Sequence, residues 1–369
     1  MDVQILAEAG MVELCWPDGT RGRFPHIWLR DNAPEGFHPE TRERVFDLLG
    51  VPSDIAPKSA FVDAGALLLE WPDGARSRFD LDWLKAHVPG RPVTDPADVE
   101  PVIWRAASGA AAIPRAEAQE LLESDAALAD WLRRTRARGL SIVQGLADST
   151  EAGMDVARRI GFLRETNFGR TFQVKSKKAP NNLAYTADAL PLHTDLANQE
   201  LPPGWQFLHC LVNAAEGGGS VFADGVAMAE DLRVADPEAF ELLSTVSVPF
   251  RFHDDSHDIR RRQYVITLDD TGAVSEICYN AHLAAVFDMD PEVLQAYYRA
   301  YRAFMGMTRD PAYQVTLMLN AGEMAVFDNR RVLHGRAAFD PSTGARHLHG
   351  CYVDRGEFDS RLRVLAQAG

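Results

Sequence analysis

The chain has 369 residues, 46% of them hydrophobic and 25% charged, enough for a large buried core and for two domains rather than one. Its formal net charge of -15 argues against a nucleic-acid backbone or an anionic membrane surface as partner, since both attract cationic faces. The opening MDVQILAEAGMVELCWPDG lacks the order of a secretory signal, and no apolar stretch has the length needed to span a bilayer. The four cysteines, Cys15, Cys210, Cys278 and Cys351, are scattered without a CxxC pair, so a reducing cytoplasm is expected, with neither a disulfide framework nor a zinc ribbon.

Trp16-Pro17-Asp18-Gly19, with Arg21, Arg23 and Phe24, recurs 55 residues later as Trp71-Pro72-Asp73-Gly74 with Arg76, Arg78 and Phe79. Pro fixes φ and Gly accepts φ > 0, so each copy predicts a turn between short strands. Trp28-Leu29 and Trp83-Leu84 follow at matching distance. Two hairpins on a common core are expected, forming a small β-rich accessory domain over residues 1–95 with no catalytic constellation. A linker rich in Pro, Val and Asp, Val88 to Pro101, leads into a larger domain over 96–369.

In that domain Leu121, Leu122, Leu128 and Leu132 predict a helix across Pro114–Arg138, and a second is predicted over Ser149–Ile160. From about Asn167 the chain turns to short apolar runs cut by Gly, Pro, Asn and Asp, which predict many short strands. A helix over Asp290–Met305 interrupts them, and strands resume from Tyr313 to Val353. The predicted fold is mainly β with helical insertions, a double-stranded β-helix or jelly roll.

Leu192-His193-Thr194-Asp195 carries the sharpest chemical signal. In an extended segment, residues two apart face one side, so His193 and Asp195 can present an imidazole and a carboxylate to one point. His334, in Phe327-Asp328-Asn329-Arg330-Arg331-Val332-Leu333-His334-Gly335, is the candidate third ligand. Two histidines and one carboxylate suit a non-haem Fe(II) oxygenase, because they leave coordination positions open. His209, His347 and His349 are rival ligands.

Asp340-Pro341-Ser342-Thr343-Gly344 predicts a turn joining Arg331–Ala338 to Arg346–Val353 as a hairpin. Pairing Ala338 with Arg346 sets His334 opposite Gly350, which would leave room beside the metal ligand, and turns His334, Arg346 and Tyr352 inward together. Arg346 then offers a planar fork to a dicarboxylate held at the metal by its other end. The same register turns Arg336 inward. Gly217-Gly218-Gly219-Ser220 lacks the Lys-Ser/Thr of a phosphate loop, and no Gly-x-Ser-x-Gly elbow exists for serine hydrolysis. Two further readings are a hydrolase using the same metal ligands to activate water, which gives Arg346 no role, and a jelly roll that binds its small ligand without turnover.

The chain resembles the gamma-butyrobetaine dioxygenase family, within the taurine- and herbicide-type 2-oxoglutarate dioxygenases. The resemblance runs from Trp28-Leu29-Arg30-Asp31-Asn32 through Asn181 to Thr186, His193-Thr194-Asp195, Pro202-Pro203-Gly204, Leu208-His209-Cys210, Phe327 to Gly335 and Arg346-His347-Leu348 to Ser360-Arg361-Leu362-Arg363. It implies an Fe(II)- and 2-oxoglutarate-dependent hydroxylase that uses dioxygen, works as a homodimer and takes a small trimethylammonium substrate, gamma-butyrobetaine or its shorter phosphonate analogue 2-(trimethylamino)ethylphosphonate. It implies that His193, Asp195 and His334 bind iron, that Arg346 and Ser220 address 2-oxoglutarate, and that Phe168, Phe172, Tyr185 and Tyr352 form an aromatic cage. Aromatic faces suit a quaternary ammonium, which has no N–H to donate. Asn182 and Asn280 match positions that address the anionic end. Phe168 and Phe172 stand where relatives carry Tyr and Trp, and Leu196 where a Tyr is known, so a different substrate is open. Animal members carry a cysteine cluster where this chain reads Ala33 to His38, so no zinc is expected there.

Overall fold

Both Pro-Asp-Gly turns close hairpins. Met11–Cys15 pairs with Arg21–Pro25 across the first, and Ala66–Glu70 with Arg76–Asp80 across the second. Gly19 and Gly74 sit at φ 85° and 86° with open space where a Cβ would be, so the backbone conformation alone demands glycine there. A preceding strand, Asp2–Leu6 or Ser59–Asp63, completes each three-stranded sheet. A short helix follows each, His26–Asp31 and Leu81–Ala86. The repeat is therefore three strands and a helix, one element more on each side than a hairpin. Alternate residues Val12, Leu14, Phe24, Leu67, Leu69 and Phe79 join Trp16 and Trp71 in one core. The computed structural model describes residues 1–175 and 186–367, and the chain divides into compact units Met1–Asp95 and Pro96–Gly369.

The larger unit is built on two sheets. The first runs, in order, Arg115–Glu117, Leu140–Gln144, Met324–Asp328, Trp205–Asn213, Arg346–Val353 and Thr171–Val174. The second runs Leu190–His193, Val332–Arg336, Ser220–Asp224 and Val315–Leu317. Leu208, Phe327 and Leu348 from the first meet Phe222, Val315 and Val332 from the second in one apolar cluster, as in a jelly roll. The far side of the six-stranded sheet is covered by helices Asp125–Arg138, Thr150–Arg158 and Arg355–Gln367, with Trp205 stacked on Phe358 at 4.0 Å.

Three expectations change. The single helix predicted over Pro114–Arg138 opens as a strand, Arg115–Glu117, and is divided at Ser124, whose hydroxyl accepts from Ala127 N and caps the second helix. Helices Gly225–Ala235 and Pro237–Thr245 occupy chain expected to be strand. Their signals are Asp224 and Asp236 as N-caps and Pro237 at a first helical position.

The third change is the hairpin at 340–344. Val332–Arg336 pairs with Leu190–His193 and Ser220–Asp224, whereas Arg346–Val353 pairs with Trp205–Asn213 and Thr171–Val174. The two predicted partners lie in different sheets, and Phe339–Asp340 between them pairs with Glu216–Gly217. Their inward side chains meet across the interior instead of along a shared edge. Gly350 accordingly does not stand beside His334. A Cβ there would fall 2.4 Å from Phe172 Cζ, so the glycine makes room for that ring.

Candidate metal centre and substrate pocket

His193 ends its strand directly opposite His334, with imidazole centroids 4.4 Å apart. Asp195, two residues on, brings Oδ1 to 3.2 Å from His193 Nε2 and 3.7 Å from His334 Nε2. The ligand atoms of all three lie within 4.8 Å of one another. His193 Nδ1 lies 2.9 Å from the Pro191 carbonyl, which can only accept, so Nδ1 donates there and Nε2 is the nitrogen turned to the centre. Tyr352 donates to Asp195 Oδ2 at 2.7 Å, leaving Oδ1 for the centre.

The charges suit a cation. Burial alone would raise the Asp195 carboxyl, but the His334 and His193 imidazoles and the Tyr352 hydroxyl outweigh it and hold it below the ordinary carboxylate range. Burial, with His193 alongside, pushes His334 down to about 3 against the pull of Asp195. A carboxylate facing two imidazoles in a buried site is a donor set that fits Fe(II).

Arg346 is buried, and among the described residues its Nε has no hydrogen-bond partner and its guanidinium no ion pair. Burial and the neighbouring Arg336 lower it to about 10, still charged at neutral pH. A buried cation without a counter-ion is costly, so the position fits an arriving carboxylate. Gly218, at φ 70°, lets the backbone pass close: a Cβ there would lie 3.0 Å from Arg346 Cδ and Nε. The glycine run thus clears space for a guanidinium rather than cradling phosphate. Ser220 lines the same cavity. Arg336 also faces it, with Nη2 donating to the Thr186 carbonyl at 2.9 Å and the Asp188 carbonyl at 2.6 Å.

The cavity holds about 510 Å³ and is lined by the three metal-site residues together with Phe168, Phe172 and Tyr352. Phe172 stacks on Tyr352 at 5.0 Å. Phe168 meets Phe252 edge to face at 5.2 Å. Phe252, Arg251 and His253 enter from a hairpin, Val248–His253 with Asp258–Gln263, and His282 from the loop beyond. None of these was anticipated; the apolar alternation of Val248, Phe250 and Phe252 was the available sign of a strand. Asn280 lines the cavity with its amide already engaged, donating to the Thr194 carbonyl at 3.0 Å and accepting from His282 N and Leu283 N. Asn182 and Tyr185 lie outside the described residues. The rival histidines are set aside by strand alternation: Leu208 and Leu348 line the cavity, so His209, His347 and His349 face the other way.

A jelly roll carrying two histidines and a carboxylate beside a buried arginine defines the class, a non-haem metal oxygenase. Comparison with known proteins narrows it. Residues 104–352 match the model of the taurine catabolism dioxygenase TauD, TfdA family, and residues 3–85 that of the gamma-butyrobetaine hydroxylase-like N-terminal domain. The chain is 44% identical to gamma-butyrobetaine dioxygenase of Pseudomonas sp. (strain AK-1), over 97% of this chain and 94% of that one. It is 32% identical to mitochondrial trimethyllysine dioxygenase of Gallus gallus, over 96% and 86%. Among solved structures, AAD-2 in complex with Mn(II) and N-oxalylglycine shares the fold, with a TM-score of 0.50 and 14% identity over 65% of this chain and 93% of that one. The chain belongs to the gamma-butyrobetaine dioxygenase family, and is a dioxygenase with Fe(II) as cofactor and 2-oxoglutarate as cosubstrate. Among the described residues no helix is long and apolar enough to cross a membrane.

Proposed function

We propose that the protein hydroxylates a small trimethylammonium compound carrying an anionic end, with gamma-butyrobetaine the leading candidate. The observation that carries this reading is the set of aromatic rings, Phe168, Phe172 and Tyr352, lining the same cavity as His193, Asp195 and His334. It is reinforced by relatives named for gamma-butyrobetaine and trimethyllysine. In this reading His193, Asp195 and His334 hold iron, and Arg346 with Ser220 receives the far carboxylate of 2-oxoglutarate. The rings receive the cation, with Tyr185 as a fourth, and Asn182 and Asn280 address the anionic end. Bound iron supplies the oxidising chemistry, in which decarboxylation of 2-oxoglutarate to succinate is coupled to transfer of one oxygen atom of dioxygen to a substrate carbon. The chain's part is orientation: two ends of the substrate are fixed, so one carbon faces the metal.

A panel of trimethylammonium carboxylates, with 2-(trimethylamino)ethylphosphonate as the phosphonate member, scored by succinate release, tests the reading. A tert-butyl isostere of the best substrate fills the same volume without the charge and should be used more than tenfold less well, at the upper end of about 0.5–2 kcal/mol per cation–ring contact. Equal use of both would remove the aromatic cage from the account. We extend the reading to a homodimer in the cytoplasm; sedimentation equilibrium returning a monomer would remove the first part.

A further inference from the structure

The segment that carries two of the three metal ligands is held chiefly by its backbone, and two of the groups holding it are buried carboxamides from distant parts of the chain. Asn329 is fully buried; its Oδ1 accepts from Asp195 N at 2.6 Å, and its Nδ2 donates to the carbonyls of Asp195 and Pro203, each at 3.1 Å. Asn280, 4% exposed, donates through Nδ2 to the Thr194 carbonyl at 3.0 Å. Thr194 is tied on its other side to Tyr279, its N–H donating to the Tyr279 carbonyl at 2.7 Å and its hydroxyl accepting from Tyr279 N at 3.0 Å.

The residue that follows explains why so many bonds are needed. Leu196 is buried with φ 56°, a left-handed conformation that costs an L side chain about 1–2 kcal/mol and persists only where its surroundings fix it. A carboxamide suits the task because it presents donor and acceptor together, as a neighbouring strand would. An aspartate could accept from Asp195 N, but its second oxygen would face two carbonyls.

We propose that Asn329 and Asn280 are positioning residues that set the metal affinity, by holding the 193–196 backbone so that the Asp195 carboxylate is already turned to the two imidazoles; this rests on the metal reading above. Asn280 does a second job with its oxygen, fixing the N–H groups of His282 and Leu283, which line the cavity wall. One side chain thus links the metal segment to the wall the substrate meets.

The test is titration of metal-free parent, Asn329→Ala and Asn280→Ala with Mn(II), followed by the electron paramagnetic resonance of the free ion, without 2-oxoglutarate or substrate. Thermal unfolding of the chelated proteins is measured alongside. Each variant is expected to bind Mn(II) about tenfold or more weakly, the usual size of losing a group that orients a metal ligand. Adding Leu196→Gly to Asn329→Ala should recover part of that affinity, because glycine takes φ > 0 freely. A merely structural role would lower the unfolding temperature and leave Mn(II) affinity within about twofold of the parent, which overturns the proposal, as does failure of the glycine to recover any affinity. Should Asn329→Ala not fold, Asn280→Ala decides by the same criterion. A parent that binds no Mn(II), or a His334→Ala variant that binds as the parent does, would instead overturn the metal reading itself.

Discussion

At the metal end of the cavity most polar atoms have named partners: Asp195 is bonded at its N–H, its carbonyl and its carboxylate, and Thr194 at N–H, carbonyl and hydroxyl. At the aromatic end the contacts are ring on ring, Phe172 on Tyr352 and Phe168 on Phe252. Hydrogen bonds demand both partners at fixed geometry, whereas packed rings tolerate exchange at similar volume. The difference separates positions that tolerate little change from positions that tolerate exchange at similar volume. One end of the cavity is a bonded lattice, and the other a packed apolar lining.

The largest effect is expected at the bonded end. Alanine at His193, Asp195 or His334 should abolish turnover and metal binding together, since each is one of three ligands. Next comes Arg346→Ala, which should raise the 2-oxoglutarate requirement roughly 10–150-fold, the equivalent of about 1.5–3 kcal/mol for a lost charge-assisted contact, with Arg346→Lys recovering only part. Carriage of that defect by Arg336→Ala instead would reassign the cosubstrate site. Leucine at Phe168 or Phe172 should weaken substrate by up to about 30-fold while 2-oxoglutarate binding holds; a matching loss of both would erase the distinction between the two ends.

Tyr352 sharpens the contrast because it belongs to both ends. Tyr352→Phe removes the hydroxyl on Asp195 but keeps the ring on Phe172, so metal affinity should fall while the KM for substrate stays close to that of the parent. A rise in substrate KM alone would place the hydroxyl in the lining. One further effect lies outside the cavity and reads on stability rather than on activity. Burial, with His349 beside it, pushes His209 down to about 4, against Asp148. Below pH 6.5 the unfolded chain binds a proton that the folded one refuses, so this stability is present above 6.5 and is lost as pH falls toward 4. The slope is at most about 1.4 kcal/mol per pH unit. His209→Leu should flatten that decline in thermal unfolding of chelated protein; an unchanged slope would assign the acid sensitivity elsewhere.

Much of this was legible in the residues. Alternation showed which side chains share a face, so His193, Asp195, His334, Arg346 and Tyr352 were all expected inside the barrel and all line its cavity. Alternation does not name the neighbouring strand, which is why the 332–336 and 346–353 strands were paired with each other when each pairs elsewhere. The Asn329 bonds were also out of reach, since they join residues 126 and 134 apart. Phe252 and His282 carry no motif and enter the cavity only through the fold of an inserted hairpin and loop.

Gly350 has one more consequence. Its missing side chain is a notch in the six-stranded sheet, and the Phe172 ring is seated in it. A single methyl at that position, Gly350→Ala, would overlap the Phe172 ring and displace it. Because the same ring stacks on Tyr352, whose hydroxyl bonds Asp195, the notch ties the width of the chamber to the footing of the metal site.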